Sequence, residues 1–213
     1  MIRSVIFDCD GVLVDSEQIS NTVLAGLLTE AGLPTTVEDS MRDYRGRSMA
    51  SVLELASARH AGPLPADLAD RYYAEIEGRF ARELRPVPGV VAALERIALP
   101  SCVASSGPHH KMAVTLRRSG LWDRFAGRIF SATEVRRGKP APDLFLHAAT
   151  AMGFDPASTA VVEDSVPGVQ AARAAGMRAL AFARHTDAGE LAAAGGEPFH
   201  DMSELPGLLA AWR

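Results

Sequence analysis

Five short apolar runs recur along this chain: Ser4 to Phe7, Cys102 to Ala104, Arg128 to Phe130, Thr159 to Val162 and Ala179 to Phe182. Such unbroken runs fit parallel strands buried on both faces, since a strand with one wet face would alternate apolar and polar residues. Helical segments with start and stop signals lie between the later runs. Pro108 precedes His109 to Ser119 and Gly120, Pro142 opens a segment to Met152 and Gly153, and Pro167 opens one to Ala175 and Gly176. The alternation predicts a doubly wound α/β parallel sheet whose functional groups sit on loops at the carboxyl ends of its strands.

Residues 16–85 break that alternation, because the periodicity there is helical throughout. In the first helix Ser16 is a candidate N-cap, Ile19, Val23, Leu24, Leu27, Leu28 and Ala31 form one apolar face, and Gly32 and Pro34 stop it. Further helices are expected over Val37 to Tyr44, Ser48 to His60 and Asp67 to Leu84. The expected organisation is a core of residues 1–15 and 86–213 carrying an inserted helical domain, residues 16–85, with hinges near Asp15 to Glu17 and Arg85 to Gly89. The alanine-rich patch from Ala192 to Gly196 reads as the end of a surface helix.

Composition narrows the function. The chain has 213 residues, 47% of them apolar and 23% charged, which suits a globular core. No apolar run approaches the ~20 residues of a membrane helix, and MIRSVIFD enters a strand pattern directly, so a cytoplasmic protein without a membrane partner is expected. A net charge of −4 argues against a nucleic-acid partner. Cys9 and Cys102, the only cysteines, lie in apolar runs and read as buried thiols.

The chemistry collects at the strand ends. Asp8 and Asp10 stand two apart where the first strand stops, and Gly11 permits a sharp turn there. Two carboxylates that close repel each other unless a cation or a proton lies between them, and magnesium, a hard cation that prefers oxygen ligands, is the natural candidate. An isolated Asp-x-Asp is more often a solvated turn. Here, however, Ser105 ends the second run, Lys139 follows the third in GKPAPD, and Glu163 and Asp164 end the fourth. Together these supply a nucleophile, a hydroxyl, a fixed cation and further carboxylates on one edge of one sheet.

In order along the chain, FDCDGVLVDSE, VASSG, GKPAPD and VVEDSVPGVQAA resemble the four motifs of the haloacid dehalogenase superfamily, with the helical cap inserted as in its β-phosphoglucomutase-like branch. The resemblance spans essentially the whole sequence. Within that branch, SCVASSGPHHKM and VVEDSVPGVQAARAAGM are similar to enzymes described as 6-phosphogluconate phosphatases. The resemblance implies a magnesium-dependent phosphatase acting on a small phosphorylated metabolite, with Asp8 as nucleophile forming an aspartyl-phosphate. It implies that Asp10 is the acid and then the base, and that Ser105 and Lys139 hold the phosphoryl group. The metal falls to Asp8, the carbonyl of Asp10 and Asp164, with Glu163 a ligand directly or through water. Gly11, Ser106 and Gly107 could offer backbone N–H groups to the phosphate. Arg45 and Arg47 could meet an anionic group on the substrate.

A phosphomutase of the branch uses a cap histidine and a cap-loop arginine, and ungapped alignment places Ser20 and Met49 at those positions. A dehalogenase would leave Asp10 and Asp164 without a task. A binding protein on the same fold remains the reading from another class. His109, His110 and Lys111 are expected to be exposed or capping groups at a helix start, and Tyr72 and Tyr73 are given no role.

Overall fold

The computed structural model describes residues 1–60 and 62–212. Six strands, β1 (Ser4–Phe7), β2 (Ser101–Ser105), β3 (Ile129–Ser131), β4 (Thr159–Glu163), β5 (Arg178–Phe182) and β6 (Glu197–Phe199), pair in parallel in the order β3-β2-β1-β4-β5-β6. The first five match the apolar runs within a residue or two. The sequence reading missed β6, because Glu197 and Pro198 interrupt any apolar pattern. Pro198 is tolerated in this edge strand, where a missing N–H leaves no central ladder broken.

Successive side chains of β1 enter different cores. Val5 and Phe7 join Val103, Val162 and Leu180 on one face, while Ile6 joins Cys102, Ala104 and Val161 on the other. The first face is covered by α5 (Val90–Arg96), α6 (His109–Arg118), α7 (Trp122–Phe125) and α11 (Leu205–Ala211), through Leu94, Met112, Phe125 and Leu205. The second is covered by α8 (Asp143–Met152), α9 (Val166–Ala174) and α10 (Ala188–Ala193), through Phe145, Val169 and Leu191. Burial on both faces is why these strands read as continuous apolar runs. The alanine-rich patch does end a helix, since α10 stops at Ala193 and turns through Gly195. Cys9 and Cys102 are free and buried. No helix among the described residues is long and apolar enough to cross a membrane.

Among the described residues four helices fill the stretch between β1 and α5: α1 (Glu17–Glu30), α2 (Val37–Tyr44), α3 (Met49–Arg59) and α4 (Leu68–Glu83). The apolar face read on α1 is the face that packs on α2 and α4, and only Ala31 of it stays partly exposed. Thr36 caps α2 through a full capping box with Asp39. The chain leaves and re-enters the sheet side by side, with Asp15 N–H donating to Arg85 O (2.9 Å) and Val87 N–H to Leu13 O (3.0 Å). Ser16 precedes α1, but its hydroxyl makes no cap bond. It donates instead to Asp10 Oδ1 at 2.5 Å, so the expected capping role is replaced by a contact with the site.

Leu28 is fully buried where α1 meets its neighbours. Leu28→Ala should destabilise the protein by about 2–5 kcal/mol, the range for a core leucine that leaves a cavity. The check is a lower urea midpoint at unchanged m-value.

Candidate active site

The sheet order places β1 between β2 and β4, so the connections leaving its two sides run in opposite directions and open a crevice at its carboxyl end. Asp8 is the first residue past β1. Because Phe7 pairs with Val162 and with Val103, Asp8 stands level with Glu163 on one side and Ala104 on the other, with Ser105 one residue further. Strand register alone therefore gathers three of the four motifs. The loop after β3 brings the fourth: the Lys139 ammonium, fully buried, donates to Asp8 Oδ1 at 2.6 Å and to Glu163 Oε1 at 2.5 Å.

Glu163 is saturated. Its Oε2 accepts from the backbone N–H groups of Asp164 and Ser165 (both 2.9 Å) and from the Ser165 hydroxyl (2.8 Å). Both oxygens are thus engaged in fixing Lys139 and the start of α9. Asp164 is the opposite case, since its Oδ2 is buried without any hydrogen-bond partner among the described residues. Gly11, at φ +75°, lies against that carboxylate, and a Cβ there would collide with it. The glycine is needed for its missing side chain as much as for its turn.

Charge in this cluster is unevenly held. Burial pushes the Asp8 carboxyl up to about 8, with Lys139 opposing and Glu163 and Asp10 adding to the rise. Burial also lifts Asp164 far above the ordinary carboxylate value, reinforced by Glu17 and Glu163. Asp10 moves the other way. Burial opposes its ionisation, but the charge and hydrogen bond of Lys111 and the Ser16 hydroxyl outweigh it and hold the carboxyl below its usual value.

An orphaned buried carboxylate oxygen, a glycine cradle and an all-oxygen donor set suit a hard divalent cation. Among the described residues no three His, Cys, Asp or Glu side chains form a complete cage. Magnesium does not require one, because it takes one or two carboxylates and keeps several waters.

Asp8, Asp10, Ser105, Ser106 and Gly107 line the floor of one cavity, and Arg45 and Arg47 of the α2–α3 loop line it from the helical side. The Ser105 hydroxyl accepts from Gly107 N–H at 3.1 Å and so shapes the loop after β2. Ser106 reaches across and donates to Gly46 O at 2.8 Å, while Arg47 Nε is held by Asp43 O at 3.1 Å. The expected site residues thus converge, including the two arginines that the sequence could equally have left in a solvated loop.

Several neighbours were missed. Lys111, expected to be exposed, is only 10% accessible along its side chain and donates to Asp10 Oδ2 at 2.8 Å. Its position on the third residue of α6 turns it inward, which a Pro-initiated helix start does not disclose. His109 is an outward group, paired with Glu134 at 2.5 Å. Glu17, Ser20 and Asn21 of α1 also line the cavity, as do Tyr72 and Tyr73. The spacing of Glu17, Ser20 and Asn21 at i, i+3 and i+4 on a helix whose other side is apolar was the available signal. Burial raises Glu17 to about 7, with Asp10 adding to the rise and Lys111 and Arg45 opposing it.

A family model, the haloacid dehalogenase-like hydrolases, matches residues 2–176. The chain belongs to that family. It is 32% identical over 211 residues to the 6-phosphogluconate phosphatase of Escherichia coli strain K12, covering 99% of this chain and 96% of that protein. It is 31% identical over 183 residues to a phosphorylated carbohydrates phosphatase of Thermotoga maritima, covering 84% of each. A haloacid dehalogenase-like protein of unknown function from Agrobacterium tumefaciens superposes with a TM-score of 0.84 at 40% identity over 99% of both chains. The chain is accordingly an enzyme, a hydrolase of the phosphatase kind, and the binding-protein reading falls away.

Asp8 and Asp164 keep protons in the folded chain at pH values where unfolded carboxylates, near 3.8, have released them. Without a divalent cation, stability should therefore fall as pH rises from about 4 towards 8. Melting temperatures measured in chelator should decline from pH 5.5 to pH 8, and added magnesium should raise the value at pH 8 more than that at pH 5.5.

Proposed function

We propose that this chain is a magnesium-dependent phosphatase that hydrolyses a small phosphorylated sugar or phosphorylated sugar acid, 6-phosphogluconate among them, through an aspartyl-phosphate on Asp8. One observation carries the reading: a carboxylate, Asp8, rests 2.6 Å from a buried ammonium on the floor of a cavity roofed by a separate helical segment. The phosphatases among its relatives support the substrate class.

In the first step an Asp8 oxygen bonds to phosphorus, the bond from phosphorus to the ester oxygen breaks, and Asp10 gives its proton to the departing alcohol. In the second, Asp10 takes a proton from water, whose oxygen attacks the phosphorus and releases inorganic phosphate with Asp8 restored. Asp10 must acquire a proton for this cycle, and with no substrate present Lys111 and Ser16 favour its ionised form. A phosphate dianion arriving beside it opposes that charge and gives Lys111 a second anion to pair with. Lys139 and the loop from Ser105 to Gly107 are placed to hold the phosphoryl oxygens, where charge accumulates during transfer. Asp8, Asp164 and the Asp10 carbonyl would hold the magnesium ion, which when bound neutralises phosphoryl charge. Ser20 and Met49 line the cavity without offering a base or a cation, so hydrolysis is favoured over mutase chemistry.

The cavity, about 70 Å³, has room for a few waters, well below the several hundred cubic ångströms typical of a small-molecule site. Residues 16–85 are therefore proposed as a cap that opens to admit substrate and closes to exclude water. Gly46 forms the closed contact: at φ +76° it presses against Ser165 and accepts from Ser106, with no space for a Cβ.

Release of p-nitrophenol from p-nitrophenyl phosphate should require magnesium and vanish in Asp8→Asn with the fold intact by circular dichroism. Lys139→Ala should lower kcat by about a hundredfold or more, the scale of losing a preorganised group at the transition state. Normal turnover by Asp8→Asn would remove the mechanism. Gly46→Ala should hold the cap ajar, reducing kcat/KM about tenfold or more, and should also lower the melting temperature, because the left-handed backbone and the collision with Ser165 both cost stability. An unchanged kcat/KM would show that this contact does not form in turnover.

A further inference from the structure

Asp10 is held by both of its carboxylate oxygens, and the two holds differ. Ser16 donates to Oδ1 at 2.5 Å, while the Lys111 ammonium donates to Oδ2 at 2.8 Å. Oδ2 is the oxygen beside the loop after β2: a Cβ on Gly107 would lie 3.6 Å from it and 3.6 Å from the Ser105 hydroxyl. An ester oxygen that takes its proton from Oδ2 must come within about 2.7 Å of that atom. Lys111 is therefore a neighbour of the position where negative charge develops as the alcohol departs.

The ammonium has donors to spare for that charge. Lys139 divides its own between Asp8 and Glu163 and keeps no accessible side-chain surface. Lys111 differs. Asp10 is its only hydrogen-bond acceptor among the described residues, its side chain is 10% accessible, and it lines the cavity together with Asp8, Asp10 and Ser105. An ammonium carries three N–H donors, so two remain for another acceptor. Its stem is fixed by packing, since a Cβ on Gly107 would come within 3.3 Å of Lys111 Cδ, and the ammonium sits 5.9 Å from the centre of the Phe80 ring on α4. As a stabilising ion pair alone it would contribute little, because desolvating two charges offsets most of their attraction.

We infer that Lys111 is a further catalytic residue, a donor to the ester oxygen that stabilises the leaving group. As the bond from phosphorus to that oxygen breaks, Asp10 transfers its proton there, and a small rotation of the Lys111 side chain directs a second N–H to the same oxygen. Lys111 keeps all its protons and contributes only charge and a hydrogen bond, fixed in place before the reaction begins. The inference rests on the phosphatase reading above and deepens it, because it divides leaving-group departure between a proton donor and a separate cation. Such help matters most for a strongly basic leaving group and least for one that departs readily as an anion.

The test compares kcat/KM, which reports the step that expels the alcohol, for p-nitrophenyl phosphate, phenyl phosphate and 6-phosphogluconate with magnesium. Lys111→Met should lower the value for phenyl phosphate relative to p-nitrophenyl phosphate about tenfold or more, and that for 6-phosphogluconate about a hundredfold, the scale of one lost donor to a developing oxyanion. Lys111→Gln, which can still donate to Asp10 but carries no charge, should shift both ratios in the same direction, and it decides the matter if the methionine variant does not fold. Ser16→Ala releases the other Asp10 oxygen and keeps Lys111, so it should leave the ratios within about threefold. Equal shifts in Ser16→Ala and Lys111→Met would show that Lys111 acts only by aiming Asp10, and parallel losses on all esters would show a structural role; either result overturns the assignment. Wild-type enzyme that released phosphate from none of the esters would instead overturn the phosphatase reading, and this inference with it.

Discussion

The buried ammonium of Lys139 is the constraint around which the site is arranged. It lies between two carboxylates, Asp8 and Glu163, contributed by adjacent strands. Removing one partner of such a group would leave an uncompensated charge in a dry interior, so the three positions depend on one another. Glu163 is in turn fixed by two backbone N–H groups and the Ser165 hydroxyl at the start of α9. Asp8 thus owes its orientation to the sheet register and to a helix start on the far side of β4. Nearby, Asp164 keeps a buried oxygen without a hydrogen-bond partner among the described residues, where a cation is the natural complement.

The helical segment reaches the same site from the other direction. Its backbone touches the floor through Gly46, which meets both Ser106 after β2 and Ser165 before α9. Ser165 is the residue that also anchors Glu163. The contact between roof and floor therefore lies at a side chain one hydrogen bond removed from the lysine clamp.

Much of this was legible in the sequence, for identifiable reasons. Strands buried on both faces write themselves as apolar runs, and a parallel sheet with β1 at its switch point must carry its chemistry at the carboxyl ends. That is why Asp8, Asp10, Ser105, Lys139 and Asp164 could be picked out from position. What escaped notice depended on direction rather than type. Lys111 looked like any lysine at a helix start, and Ser16 like any N-cap. Glu17, Ser20 and Asn21 were visible as polar residues on α1, but whether that stripe met water or a cavity depended on where the helix was docked. β6 was missed because an edge strand of three residues with a proline has almost no pattern to detect.

The sequence by itself determined the alternation of strands and helices, the insertion between β1 and α5, and the set of polar groups at the strand ends. These follow from local periodicity and from residue chemistry, which neighbours along the chain already encode. Only the tertiary structure decided that Glu163 holds the lysine, that Asp164 keeps a buried oxygen with no hydrogen-bond partner among the described residues, that Lys111 turns inward to Asp10, and that Arg45 and Ser20 line the same cavity as Asp8. Each of those outcomes requires atoms far apart in sequence to exclude water together, and burial of that kind has no local signature.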